Sequence, residues 1–205
     1  MKKLEVYYLA NKSENIYFAL LGDCTASKNE NEKTDEEIIN VGLNEVEKLN
    51  KKYSKNYEND FSKFSFLYRK RTWNPSEKCY LGWERKRGLI CQFNDFLING
   101  TNDFRINTIE NTVGANCVRP HNNIKYVITL DSDTNLSIET GLQLIGTMAH
   151  ILNEPIIDEN KNIVKEGHAL LQPRIGIDLE SARKSLFTKI YAGVRRNRFI
   201  YKCNI

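Results

Sequence analysis

Tyr126-Val127-Ile128-Thr129-Leu130 runs directly into Asp131-Ser132-Asp133-Thr134, and this junction decides how the rest of the chain is read. A short, nearly continuous apolar run without polar alternation is the pattern of a strand buried on both faces. Three more runs share it: Ile16 to Leu21, Phe64 to Tyr68, and His168 to Ile177, where Pro173 marks a bulge or an edge. Between them the period becomes helical. Ile39, Leu43, Val46, Leu49 and Tyr53 share one face, with Thr34 and Glu37 spaced as a capping box at its start. Leu89, Ile90, Phe93, Phe96 and Leu97 form a second face. Ile138, Leu142, Ile145, Met148, Ala149 and Leu152 form a third, capped by Ser137, and Ala182, Leu186, Ile190 and Tyr191 a fourth. Buried strands alternating with helices predict an α/β fold with a mainly parallel sheet covered by helices on both faces. Leu4 to Ala10 fits helix or strand on pattern alone. The polar stretches Thr25 to Lys33, Tyr53 to Asp60 and Gly100 to Asn123 read as loops, the last lying outside the core.

The composition suits one globular core: 205 residues, 40% hydrophobic and 27% charged, with only 11 Gly and 4 Pro. A net charge of +4 is too small to predict a nucleic-acid partner, and no run approaches the roughly 18 apolar residues of a membrane helix. The start lacks a signal-peptide core, so a cytoplasmic location is expected. Cys24, Cys79, Cys91, Cys117 and Cys203 are odd in number and widely spaced, which suggests neither disulfides nor zinc. His121, His150 and His168 have no ligand spacing and read as structural or surface residues. Basic residues gather at Arg69-Lys70-Arg71, at Arg85-Lys86-Arg87 and after Glu180, where they are candidate phosphate contacts or solvated faces.

Ligands of open α/β sheets bind beyond the carboxyl ends of the strands. That rule selects Asp23, after the run ending at Leu21, and Asp131 with Asp133. Two carboxylates two residues apart can offer oxygen ligands to Mg²⁺ or Mn²⁺ while leaving room for water and a diphosphate; the alternative is a helix cap or turn. Haloacid-dehalogenase-like phosphatases also carry an Asp-x-Asp after a strand, but Asn135 stands where that family has Thr or Val.

The neighbouring segments narrow the choice. Gly82-Trp83-Glu84-Arg85-Lys86-Arg87-Gly88, Tyr126 to Thr134, Gly146-Thr147-Met148-Ala149-His150 and Leu170-Leu171-Gln172-Pro173-Arg174 follow in order and resemble the glycosyltransferase region of cyclic β-1,2-glucan synthases. The resemblance continues through Phe18 to Asp23, Asp35, Leu49-Asn50 and Arg69 to Asn74, covering about Leu4 to Gly193. It implies a GT-A-like (Rossmann-like) fold and a processive, inverting transferase that uses UDP-glucose and Mg²⁺ or Mn²⁺ to extend a glucan acceptor at the inner face of the cell membrane. Carried over by position, Asp131 and Asp133 match the metal and diphosphate motif, and Asp23 the residue contacting the donor nucleotide. Lys86, Arg87, Gly88 and Asn94 match the segment lining the donor pocket, and Gln172 and Arg174 lie toward the donor sugar or the acceptor. Trp73 and Trp83 are open to two readings, stacking on uracil or sugar and core packing. On the same comparison Leu4 to Ala10 becomes the end of a helix.

The resemblance divides the chain into a partial GT-A domain, 1–193, and a basic tail, 194–205, outside the family pattern. The carboxylate expected as general base, well after the metal motif, is not matched, so the isolated chain is expected to be inactive unless another chain supplies the remainder. Two alternatives are a sugar-nucleotide-binding pseudoenzyme that keeps Asp23, Asp131 and Asp133, and an interaction module whose basic tail docks on anionic lipid or a partner subunit.

Overall fold

The computed structural model describes residues 1–53, 62–111, 124–161 and 163–173. The chain divides into two compact units, Met1–Glu139 and Thr140–Ile205. In the first unit β2 (Phe64–Arg69) is the middle of a three-stranded sheet, with β1 (Phe18–Gly22) parallel on one side and β5 (Phe104–Asn107) antiparallel on the other. All six residues of β2 are buried, because helices cover both faces of the strand. Side chains alternate along it. Phe64, Phe66 and Tyr68 meet Ile39, Val46 and Leu49 of α2 (Lys33–Tyr53), together with Tyr7 and Tyr8 of α1 (Lys2–Ala10). Tyr8 stands edge-on to Phe64 at 5.2 Å and to Phe18 at 5.9 Å, an arrangement that adds to the gain from burying the rings. On the opposite face Leu67 meets Leu89, Phe93, Phe96 and Leu97 of α3 (Arg85–Asn99). Asn50 of α2 fixes the start of β2, donating to the Phe64 carbonyl at 2.8 Å and accepting from its N–H at 2.9 Å.

Between β2 and α3 a small hairpin is made by β3 (Thr72–Asn74) and β4 (Cys79–Leu81). α4 (Thr108–Asn111) follows β5. The second unit contains α5 (Thr140–Met148), a single 3-10 turn at Ile151–Asn153, and a hairpin of β6 (Ile156–Asp158) with β7 (Ile163–Glu166). No helix among the described residues is long and apolar enough to cross a membrane.

The α/β class, the helical faces of α2 and α3 and the helix at Leu4 to Ala10 follow the sequence reading. The main sheet is mixed, with one parallel and one antiparallel pairing. Tyr126 to Leu130 forms no strand; Tyr126, Val127 and Ile128 are 37–43% exposed, while Leu130 packs on the core beneath α1 and α2. An apolar run states what it could bury, but it becomes a strand only where a neighbouring edge accepts it. Conversely, the Asn-rich segment expected outside the core supplies β5, because Phe104 reaches the core and stacks edge-on against Phe96 at 6.3 Å. At the start of α2 the Glu32 N–H donates to Asp35 Oδ2 at 3.1 Å, so Asp35 takes the capping contact expected of Thr34 and Glu37. α5 starts three residues after Ser137 and buries Gly141 and Leu144, leaving Ile138 and Leu152 more than three-quarters exposed. Residues 168–173 form no strand; residues 174–177 and the fourth helical face lie outside the described residues, as do most of the Tyr53 to Asp60 loop and the basic tail.

Candidate functional site

The parallel register pairs Gly22 of β1 with Tyr68 of β2, so the next residues, Asp23 and Arg69, emerge side by side at the carboxyl ends of the two strands. Arg69 Nη1 lies 3.6 Å from Asp23 Oδ1, and the Cys24 N–H donates to the same oxygen at 2.9 Å. Burial, with Asp23 beside it, pushes the Cys24 thiol up from its ordinary value, so Cys24 stays a neutral packing group. Arg69 continues into the turn before α3. Its Nε donates to Gln92 Oε1 at 2.7 Å, its Nη1 to the Arg85 carbonyl at 2.8 Å, and its Nη2 to the Trp83 carbonyl.

That turn is close-packed. A Cβ on Gly82 would stand 2.5 Å from Asp23 Oδ1 and 2.6 Å from Arg69 Nη1, and a Cβ on Gly88 would stand 1.9 Å from the Trp83 carbonyl oxygen. Glu84 and Arg85 carry φ of 49° and 47°, the left-handed conformation that side chains disfavour, so the surroundings must hold it in place. Lys86 projects from the first turn of α3 and pairs with Asp131 Oδ1. Arg87 points outward, three-quarters exposed, and pairs with Glu84 at 3.1 Å. Asn94 is half-buried, about two turns further along α3.

The segment Asp131 to Thr134 is a turn closed by the Thr134 N–H donating to the Asp131 carbonyl at 3.1 Å. α1 holds its backbone: Lys3 Nζ donates to the Ser132 carbonyl at 2.7 Å and the Tyr7 hydroxyl to the Thr134 carbonyl. With the Ser132 and Thr134 carbonyls held by α1, the Asp131 and Asp133 side chains are exposed. Two accessible carboxylates are the donor set that Mg²⁺ or Mn²⁺ takes when it keeps several waters and shares a substrate's phosphates. The residues therefore fit such an ion. Among the described residues no three Asp, Glu, His or Cys side chains cluster as a cage for an ion held by protein alone.

Asp23, Lys86, Gly88 and Asp131 thus join one connected set of contacts running through Arg69 and the Gly82–Gly88 turn. Gln172 is exposed in the second unit, and Arg174 lies outside the described residues. Trp73 and Trp83 are both 51% exposed, so neither is a core residue; Trp73 packs against Tyr80 at 5.1 Å, and Trp83 directly follows Gly82. His150 has a structural role, its Nδ1 accepting from the Leu152 N–H at 3.2 Å.

The basic run Arg69-Lys70-Arg71 is neither a phosphate cradle nor a solvated face as a whole, since the Arg69 and Arg71 side chains are each 1% exposed. Arg71 grips both oxygens of Asp35, with Tyr68 donating to Asp35 Oδ1 at 2.8 Å and Arg105 Nη1 3.7 Å from Oδ2. Burial alone would raise the Asp35 carboxyl, but the Arg71 and Tyr68 bonds outweigh it and hold the pKa at about 2. The cleft beside this lock has a volume of about 120 Å³, well below the roughly 300 Å³ of a small ligand site. Sequence reasoning offered Arg69 as a phosphate contact or a solvated residue and missed that it is the buried hub joining Asp23 to the turn before α3. Its signal was its place in β2, on the Leu67 side and beyond a buried run, next to the strand-end Asp23.

No family model matches the chain. A curated protein does: 192 residues, 93% of this chain, are 35% identical to part of the cyclic beta-(1,2)-glucan synthase NdvB of Rhizobium meliloti (strain 1021). The match spans only 6% of that protein's length. Asp23, the Gly82–Gly88 turn and Asp131 thus belong to a chain related, over nearly all its length, to one region of a cyclic beta-(1,2)-glucan synthase.

Proposed function

We propose that Asp23, Lys86, Gly88, Asp131 and Asp133 form the donor site of a GT-A-type glucosyltransferase region that takes UDP-glucose with Mg²⁺ or Mn²⁺ and serves a glucan acceptor. The observation that carries this reading is the convergence of a strand-end Asp, the glycine-bounded start of α3 and the Asp131 turn, joined by Arg69 and by the Lys86–Asp131 pair. The sequence relation to a glucan synthase region supports the substrate class. Asp23 faces the nucleoside, and the exposed Trp83 indole is available to stack on its base. Asp131 and Asp133 would hold the divalent cation, which would supply positive charge to offset that of the leaving diphosphate. Lys86 adds a second positive charge at the same phosphates. In the chain as it stands Lys86 pairs with Asp131 Oδ1, and a donor diphosphate would compete with that carboxylate for it. Gly88 lets α3 start against the Trp83 carbonyl, which sets the height of Lys86.

Free aqueous Mn²⁺ has a sharp EPR spectrum that broadens on binding, so the site can be tested without turnover. UDP alone complexes part of the Mn²⁺, so the reference is the signal with UDP and no chain; adding the chain is expected to remove most of the signal that remains. Asp133→Asn is expected to restore it, with at least the 10- to 100-fold loss of affinity that follows loss of even an outer-shell partner. A Mn²⁺ signal that the wild-type chain leaves at the level set by UDP alone would overturn the reading.

A further inference from the structure

A guanidinium has five N–H donors and no acceptor, and burying it is costly unless those donors are met. Arg69, with 1% of its side chain exposed, meets them on parts of the chain far from it in sequence: Gln92 on α3, the Trp83 and Arg85 carbonyls in the turn before it, and Asp23 after β1. Two of those acceptors flank or lie in the left-handed pair Glu84–Arg85, so the guanidinium holds the conformation that this turn would otherwise leave. Gly82 and Gly88 give it room, since a Cβ at either would stand within 2.6–2.7 Å of an Arg69 nitrogen. An exposed phosphate ligand would have none of these features.

We propose that Arg69 is a positioning residue: it touches no ligand itself, but fixes the Asp23 carboxylate relative to the turn that launches Lys86, and so sets the spacing between the nucleoside and diphosphate ends of the donor site. The inference rests on the donor-site reading above. Lysine at this position keeps the charge and loses the fork.

The test is calorimetric titration of the full chain with UDP in Mn²⁺, for wild type, Arg69→Lys, Gly82→Ala, Asp23→Asn and the Asp23→Asn/Arg69→Lys double variant. Arg69→Lys is expected to weaken UDP by at least about tenfold while thermal unfolding stays cooperative. Gly82→Ala, which wedges a methyl between Asp23 and Arg69 without changing any charge, is expected to do the same, and it decides the matter if Arg69→Lys does not fold. In the Asp23→Asn background Arg69→Lys is expected to cost clearly less than alone, because the two act through one contact. Wild-type affinity in both Arg69→Lys and Gly82→Ala, or strict additivity in the double variant, would overturn the inference and leave the donor site standing. A wild type that binds no UDP would overturn the donor-site reading, and the inference with it.

Discussion

Lys86 and Asp131 are both more than half exposed, so their pair contributes little to stability, and under the proposed donor site its value is the charge it places there. Lys86→Met is expected to leave unfolding free energy within about 0.5 kcal/mol of wild type. It should tighten Mn²⁺ in the absence of UDP, by freeing Asp131, and weaken UDP in the presence of Mn²⁺ several-fold. EPR and calorimetry on the one variant check both halves. Asp35 is the opposite case, a buried carboxylate whose pKa of about 2 lies below its ordinary 3.8. The folded state therefore favours its ionised form. That contribution, about 2 kcal/mol, is complete above about pH 4 and is lost as the pH falls through about 2. Urea unfolding should show this acid step in wild type and not in Asp35→Asn, which should also lose about 3 kcal/mol at neutral pH by leaving Arg71 buried and unpaired. Asp23 and Asp131 were legible in the sequence because each ends an apolar run. The roles of Arg69 and Arg71 were not, since a basic residue at a strand end points into the protein or out of it according to register and to what packs above.

At the scale of elements, α2 and α3 were legible because a 3.6-residue period survives any tertiary context that buries one face. Strand pairing was harder, because it depends on which edge is offered. β5 is short and flanked by Asn, and only Phe104 and Ile106 signal it, whereas the stronger run Tyr126 to Leu130 stays outside the ladders. Phe104→Ala is therefore expected to cost about 3 kcal/mol in denaturant unfolding, the cost of emptying a core aromatic site; a loop residue would cost well under 1 kcal/mol. Gly42 poses a sharper contest. Alanine there gains about 1 kcal/mol of helix propensity, but its Cβ would stand 2.6–2.8 Å from three atoms of the Phe66 ring. Phe66 is 2% exposed in the middle of the buried β2 and cannot withdraw, so overpacking of about 1–3 kcal/mol wins and Gly42→Ala is expected to be net destabilising.

At the scale of the whole molecule, two compact units divide between Glu139 and Thr140, and the connected set from Asp23 to Asp131 lies wholly within the first. The chain corresponds to 6% of the glucan synthase it matches, a single region of that protein. The ordered motifs made that kinship legible; the mixed sheet and the inward-facing arginines were set by packing that no single motif encodes. The proposed donor site would hold a uridine diphosphate through a divalent ion at Asp131 and Asp133. The most direct measurement is calorimetric titration of the chain with UDP in Mn²⁺, repeated with the metal chelated and with Asp131→Asn/Asp133→Asn. Saturable binding that needs the metal and disappears in the double variant is the predicted result. Binding that is absent, or equally strong without the metal or without the two carboxylates, would contradict it.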